Sequence, residues 1–265
     1  MIAVITGASS GIGFALATRL LFEGHTVYSF SRTVPPSSQI QHIYCDVSDR
    51  QSVVEAFREF HEKEVHADIL VNNAGFGISG AAEFADEGEI KRIFDVNFLG
   101  AVYCTQCAIP KMRETRGGKI LFISSAAAIF PIPFQSYYTA TKSAISAFSE
   151  GLRMELKPFD IQVGTILLCD TKTGFTANRK KDVRGEEHYG TRIERSVSIM
   201  EHDEQNGMSA VIVAEKVAKY LGKKRLKGSK AIGAQFGVPL PAFLLLNRIL
   251  PRSWVTGILY RIYAK

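Results

Sequence analysis

Tyr138-Thr-Ala-Thr-Lys142 sets a phenol and an ammonium four residues apart, so on a helix both side chains share one face. A free tyrosine, with a pKa of about 10, is a poor acid or base near neutrality. A neighbouring cation favours the phenolate and lowers that value, which would make Tyr138 a usable proton donor or acceptor. The pattern occurs twice, because Tyr220-Leu-Gly-Lys-Lys224 has the same form. The surrounding sequence separates the two. Ile120-Leu-Phe-Ile-Ser-Ser125 reads as a buried strand ending in two hydroxyls just upstream of Tyr138, and ligands of open α/β sheets lie beyond the carboxyl ends of strands. Tyr220 follows no such strand and adjoins a basic run, so it is expected to be an ordinary half-buried residue.

A second constellation sits near the start of the chain. Thr6-Gly-Ala-Ser-Ser-Gly-Ile-Gly13 falls between a short apolar run and a helical pattern. Glycines at 7, 11 and 13 permit a tight turn, and a helix starting there aims free N–H groups and its positive dipole end at a phosphate. Gly7, Ser9, Ser10, Gly11, Ile12 and Gly13 are therefore expected to cradle a nucleotide, although the spacing differs from the commoner Gly-x-Gly-x-x-Gly turn. The second strand ends in Ser31-Arg32-Thr33, with no acid to bind a ribose 2′-hydroxyl. A guanidinium can fork onto a 2′-phosphate and a small hydroxyl leaves room for it. The expected cofactor is NADP(H) in preference to NAD(H).

These groups need a scaffold. Apolar runs at Ile2–Ile5, Thr26–Phe30, Ile43–Cys45, Ile69–Val71, Ile120–Ile123 and Ile161–Leu168 are continuous rather than alternating, as in strands buried on both faces. Helical patterns at Gly13–Glu23, Ser48–His66, Gly88–Arg113 and Tyr138–Lys157 alternate with them. The expected fold is α/β, a single-domain Rossmann-like doubly wound parallel sheet with helices on both faces. Residues 170–208 break the rhythm with a polar stretch of weak helical signals, expected to be a substrate lid loop. A helix over Ala210–Leu221, a basic run, a strand at Ala231–Gly233 and an apolar helical tail over 239–264 complete the chain. With 46% apolar and 22% charged residues and a net charge of +6 over 265 residues, the composition is globular. No stretch is long and apolar enough for a membrane span and no secretory signal is visible. A soluble, cytoplasmic protein is the expectation.

The chain resembles a classical short-chain dehydrogenase/reductase. The resemblance rests on Thr6–Gly13, Asp46 after the third strand, Asn72-Asn-Ala-Gly75, Asn97, Ser125 and Tyr138–Lys142. It covers about residues 1–170 with specific motifs in order, and the rest only loosely. It implies that Tyr138 protonates a carbonyl oxygen during reduction, and that Ser125, rather than Ser124, hydrogen-bonds that oxygen. Lys142 would hold the nicotinamide ribose and depress the tyrosine pKa, and Asn97 would hold a water linking Lys142 to solvent. Asp46 and Val47 would contact the adenine, Asn73, Ala74 and Gly75 would back the cofactor, and Thr173, with Thr171 beside it, would meet the carboxamide. One departure is Leu168-Cys169, where the family usually has Pro-Gly.

Other signals carry blander readings. Cys104-Thr-Gln-Cys107 lies inside a helical pattern and reads as two packed thiols rather than a redox pair, whereas Cys169 sits at the mouth of the expected site and is open to thiol reagents. His61 and His66, at i,i+5, face different ways, and no metal site is expected. In the tail, Leu246, Leu250, Trp254, Ile258 and Ile262 recur at helical spacing, with Pro251 dividing two short helices. Core or dimer packing is favoured for this stripe, ahead of an apolar substrate cover, and membrane-surface contact ranks last. Such tails resemble those of lipid- and steroid-handling members. The expectation is therefore an NADPH-dependent carbonyl reductase, or the reverse alcohol dehydrogenase, for an apolar steroid, retinoid or lipid-like substrate. It would act as a homodimer or homotetramer without nucleic acid. A 3-oxoacyl-thioester reductase is the enzymatic alternative, and a non-catalytic NADPH-binding sensor the alternative of another class.

Overall fold

The continuous apolar runs do build one parallel sheet. Its strands are β1 (Ile2–Thr6), β2 (Thr26–Ser31), β3 (Gln41–Tyr44), β4 (Ile69–Asn72), β5 (Gly118–Ser125), β6 (Ile161–Leu168) and β7 (Ser229–Ile232). They lie in the order β3-β2-β1-β4-β5-β6-β7. The computed structural model describes residues 1–235 and 238–265. In chain order the helices are α1 (Gly11–Phe22), α2 (Arg50–Lys63), α3 (Glu87–Phe94), α4 (Gly100–Glu114), α5 (Ser136–Glu155), α6 (Glu186–Tyr189), α7 (Arg192–Gln205), α8 (Ala210–Leu221), α9 (Leu240–Ile249) and α10 (Arg252–Tyr263).

Period two within each strand divides the core. Ala3 and Ile5 of β1 join one cluster with Leu16 and Leu20 of α1 and Val213 and Val217 of α8. Val4 joins the other, with Phe57 and Phe60 of α2, Cys104 and Met112 of α4 and Ile145 of α5. Both faces are thus covered, which is why the strand sequences show no polar alternation. The chain reverses its direction of travel between the neighbours β1 and β4, and that reversal opens a crevice beyond their carboxyl ends.

Three local readings need correction. The single helix expected over Gly88–Arg113 is α3, a π turn over Asp95–Leu99, and α4. The wider turn aims Asn97 at the segment following β4. Residues 170–208 are not one open loop. α7 lies there, its Ile193, Val197 and Met200 buried at i, i+4 and i+7, a stripe masked in sequence by the charges around it. Two short parallel ladders tie the segment down, Ile78–Ser79 to Lys180–Lys181 and Thr171–Lys172 to Met208–Ser209.

The third correction concerns the tail. Pro251 does divide two helices, but the face turned inward is Leu240 of α9 with Val255, Leu259 and Tyr263 of α10. These pack with Phe130, Leu167, Val197 and Met200 in a third, smaller cluster. Leu246, Trp254 and Ile258 of the expected stripe are solvent-exposed. Both faces are apolar, so periodicity alone could not choose between them. Among the described residues no helix is long and apolar enough to cross a membrane.

Candidate active site

A cavity of about 570 Å³ opens beyond the carboxyl ends of the central strands. At its floor the glycine turn and the segment after β4 are wired together. The Thr6 hydroxyl accepts from the backbone N–H groups of Asn73 (2.9 Å) and Ala74 (3.0 Å). The Asn73 amide donates back to the carbonyl of Thr6 at 2.9 Å. Gly7 has φ +68, and a Cβ there would stand 3.1 Å from Ala74 Cα. Gly7, Ser9, Ser10, Gly11 and Ile12 line the cavity, as do Asn73, Ala74 and Gly75. Gly13 does not line it. A Cβ on Gly13 would come within 2.5 Å of both the Asn73 amide nitrogen and the Gly7 carbonyl, so this glycine lets α1 close on the turn. The turn leaves the first N–H groups of α1 facing an open cradle, which fits a diphosphate.

Ser31, Arg32, Asp46 and Val47 line the adjoining end. The Ser31 hydroxyl donates to the Thr33 carbonyl at 2.8 Å, shaping the turn after β2. The Arg32 guanidinium is 61% exposed, with Nη1 3.9 Å from Asp46 Oδ2. So loose a surface pair leaves the guanidinium free to meet an anion. Burial raises the Asp46 carboxyl, but hydrogen bonds from Ser48 and the nearby Arg32 and Arg92 bring it below its usual range overall. Arg92, which lies over the Phe76 ring and lines the same end, was not singled out by sequence. Its place one turn before the π turn is the only signal that could have found it.

At the other end, Ser125 and Tyr138 face one another from the end of β5 and the first turn of α5. Burial pushes the Tyr138 phenol up to about 12, a hydrogen bond with Ser125 pulls it back, and Glu204, Arg179 and Asp170 act more weakly. Lys142 is itself buried, its Nζ lying 5.7 Å from the Tyr138 ring centroid and donating to the Ile123 carbonyl at 2.9 Å. Burial draws its own pKa down to about 8. In this chain Tyr138 is thus held as a proton donor. Ser124 turns away, its hydroxyl 3.1 Å from the Lys142 carbonyl and 3.2 Å from Ser146 Oγ, so Ser125 is the hydroxyl left for a ligand.

Asn97 stands one layer behind the cavity. Its Oδ1 accepts from the Phe76 N–H and its Nδ2 donates to the Phe76 carbonyl, both at 2.9 Å, with Thr141 Oγ1 at 3.2 Å from Nδ2. The side-chain amide is thus bonded on both of its polar atoms to the Phe76 backbone.

The far wall was largely missed. Thr171 and Thr173 line the cavity as expected, but so do Asp170, Phe175, Met200, Glu204 and Tyr263. Burial, with Asp203 and Glu204 nearby, pushes the Asp170 carboxyl up to about 6. Arg179, whose side chain is fully buried, pairs with Glu204 and lies over Phe175. Cys169 lines the cavity but is only 7% exposed, and burial pushes its thiol up to about 12, which disfavours the reactive thiolate. Cys104 is likewise buried, raised by a hydrogen bond with Cys45 and by desolvation. Tyr220, the rival to Tyr138, is fully buried beneath Gly164 and donates to the Gly228 carbonyl.

Phenol, hydroxyl and ammonium beside a nucleotide cradle can give a proton to, or take one from, an oxygen whose carbon would exchange a hydride with a nicotinamide held there. Comparison with known proteins agrees. The short chain dehydrogenase family model matches residues 1–184. The chain is 37% identical over 226 residues to a 3-ketodihydrosphingosine reductase of Bacteroides thetaiotaomicron, covering 84% of each protein. A short-chain dehydrogenase from Streptomyces avermitilis has a similar structure, with a TM-score of 0.80, 26% identity and 94% of each chain covered. So does the closed form of a serine dehydrogenase complexed with NADP+, with a TM-score of 0.76, 25% identity and 90% and 98% covered. The chain belongs to the short-chain dehydrogenase/reductase family, as a nicotinamide-dependent oxidoreductase acting on CH–OH groups.

Proposed function

We propose that this protein is an NADPH-dependent reductase of long-chain ketones, with amino ketones of the 3-ketodihydrosphingosine type as the best-matched substrates. The observation that carries this reading is the far wall of the cavity. There the rings of Phe175 and Tyr263 and the Met200 thioether adjoin two carboxyl groups, Asp170 and Glu204, beside Tyr138. Apolar surface suits an alkyl chain, and the acids suit an ammonium next to the carbonyl. The similarity to a reductase named for such a ketone supports the same choice.

Arg32 would take the 2′-phosphate, the glycine turn the diphosphate, Asp46 and Val47 the adenine, and Asn73–Gly75 the back of the cofactor. Lys142 would hold the nicotinamide ribose, with Thr171 and Thr173 at the carboxamide. Bound reduced nicotinamide supplies the hydride to the carbonyl carbon. The Ser125 hydroxyl donates a hydrogen bond to the carbonyl oxygen and orients it, and the Tyr138 phenol delivers the proton. Asn97 is a positioning residue, fixing Phe76 and the loop behind the cofactor. Residues 170–208, anchored by their two ladders and by α7, would cover the substrate and exclude water.

The test is oxidation of NADPH and NADH with a long-chain α-amino ketone, the same ketone without the amine, a ketosteroid, a retinal and a 3-oxoacyl thioester. The expected result is preference for the amino ketone and for NADPH. Arg32→Ala should lower NADPH affinity by about tenfold to a hundredfold, the worth of a hydrogen bond to a charged group. Equal use of NADH by the wild type, or fastest turnover of the thioester, would overturn the reading.

A further inference from the structure

The tail helices turn apolar surface outward on one side only. Leu245 (59% exposed), Leu246 and Ile249 (73%) project from α9, and Trp254 (65%) and Ile258 from α10. On the opposite side of the same helices Leu240, Val255, Leu259 and Tyr263 are buried. Two helices of ten and twelve residues are too short to span a bilayer.

The charge around this face is one-sided. From Lys216 to Lys265 the chain carries eleven Lys and Arg and no Asp or Glu, so all 26 acids precede that point. Arg248, Arg252 and Arg261 are exposed among the outward apolar residues. Two copies meeting symmetrically through this patch would bring arginine toward arginine, with no acid in either tail to pair with them. An anionic surface with an apolar interior satisfies both features at once: leucine, isoleucine and tryptophan enter the headgroup boundary while the guanidinium groups stay with the phosphates.

We propose that the outer face of α9 and α10 docks this protein on the surface of an anionic lipid bilayer. The contact is peripheral, reversible and weakened by salt. It also adjoins the site, because the inner side of α10 places Tyr263 on the cavity wall with Met200 while Trp254 and Ile258 on its outer side meet the lipid. A lipid-borne ligand would enter from that side.

Trp254 is the only tryptophan in the chain, so its emission reports the contact directly. The full-length protein is mixed with vesicles of phosphatidylcholine alone or with phosphatidylglycerol, and followed by Trp254 fluorescence and flotation. The expected result is a shift to shorter wavelength and flotation with the anionic vesicles, weakening by about tenfold or more on raising salt from 0.1 M to 0.5 M. Ile249→Glu and Arg252→Glu, both at exposed positions, should lose flotation while keeping the wild-type melting temperature and the turnover of a small ketone. Absence of any spectral shift or flotation with anionic vesicles would overturn the proposal. So would variants that float like the wild type, or light scattering showing that Ile249→Glu splits a dimer while vesicle binding is absent throughout. In that last case a second copy covers this face.

Discussion

The two stretches on either side of Cys169 hold their parts in place by different means. Up to β6, the loops that make the site are bound backbone to side chain. Thr6 serves Asn73 and Ala74, Asn73 serves Thr6, and Asn97 serves Phe76. Beyond β6, two short ladders pin the chain at Thr171–Lys172 and Lys180–Lys181, and the rest of the placement depends on side-chain pairing and apolar contact. Arg179 meets Glu204, Lys181 meets Glu201, and the tail wedges Leu240 and Tyr263 into the third cluster. Backbone-fixed geometry admits few residue types at each position, whereas packing admits many. The first stretch can therefore hold a constant cofactor, while the second is free to shape a particular substrate pocket.

Each stretch contains a Tyr-x-x-x-Lys, and exchanging their fates would break the comparison most sharply. Tyr138→Phe keeps the ring and removes the transferable proton, so turnover should fall by about 10²–10⁴-fold with cofactor binding retained. Tyr220→Phe should leave turnover intact and cost about 1–2 kcal/mol of stability, through the lost bond to Gly228. Steady-state kinetics and denaturant melts on both variants check this, and equal kinetic losses would refute the distinction.

A smaller effect separates the buried cations. Arg179 has a carboxylate partner, but Lys142 is drawn down to about 8 by burial. Between about pH 8 and 10.5 the unfolded lysine keeps its proton while the folded one loses it, so stability should rise with pH across that window. At pH 7 the cost is complete, on the order of 3 kcal/mol. Lys142→Met should flatten the slope and raise the melting temperature of the cofactor-free protein at pH 7, less whatever the lost bond to Ile123 contributes. Its turnover should collapse. Thermal melts from pH 6 to 10.5 decide it, and an unchanged slope would show that Lys142 is not the titrating group.

Asp170, at the junction of the two stretches, should give the smallest shift. With its carboxyl pushed up to about 6, the unfolded chain sheds this proton first as pH rises from about 4. Stability should therefore fall between pH 4 and 6, and the cost persists above. Asp170→Asn should be more stable at pH 7 by about 1–2 kcal/mol, discounted for the water that reaches this half-buried group. That advantage should vanish at pH 4. Melts at the two pH values test it, and an equal gain at both would mean that charge is not the cause.

How far the molecule was legible in sequence follows the same division. The sheet could be read because strands covered on both faces leave continuous apolar runs. Gly7 could be read because a left-handed turn pressed against Ala74 tolerates little else. Tyr138 and Lys142 could be read because their spacing fixes a shared face. Residue type says what a side chain can do, not which way it points, so the sequence did not show that Gly13 is pressed against Asn73 or that Asn97 is bonded to Phe76. α7 went unseen because three buried apolar residues lie among seven charged or imidazole-bearing ones. In the tail both faces are apolar, and only the packing of Phe130 and Met200 decides which one turns inward.

The bond pair between Asn97 and Phe76 has one more consequence. Accepting from one N–H and donating to the carbonyl of the same residue is what a neighbouring strand would do at that point. The side-chain amide acts as a single borrowed peptide unit, extending the pairing of the sheet past the end of β4 where no strand has room to lie. That makes the position nearly single-valued in chemistry. Aspartate offers acceptors only and would set one of them against a carbonyl oxygen, glutamine carries the same amide one methylene too far, and serine supplies a single atom where two are needed.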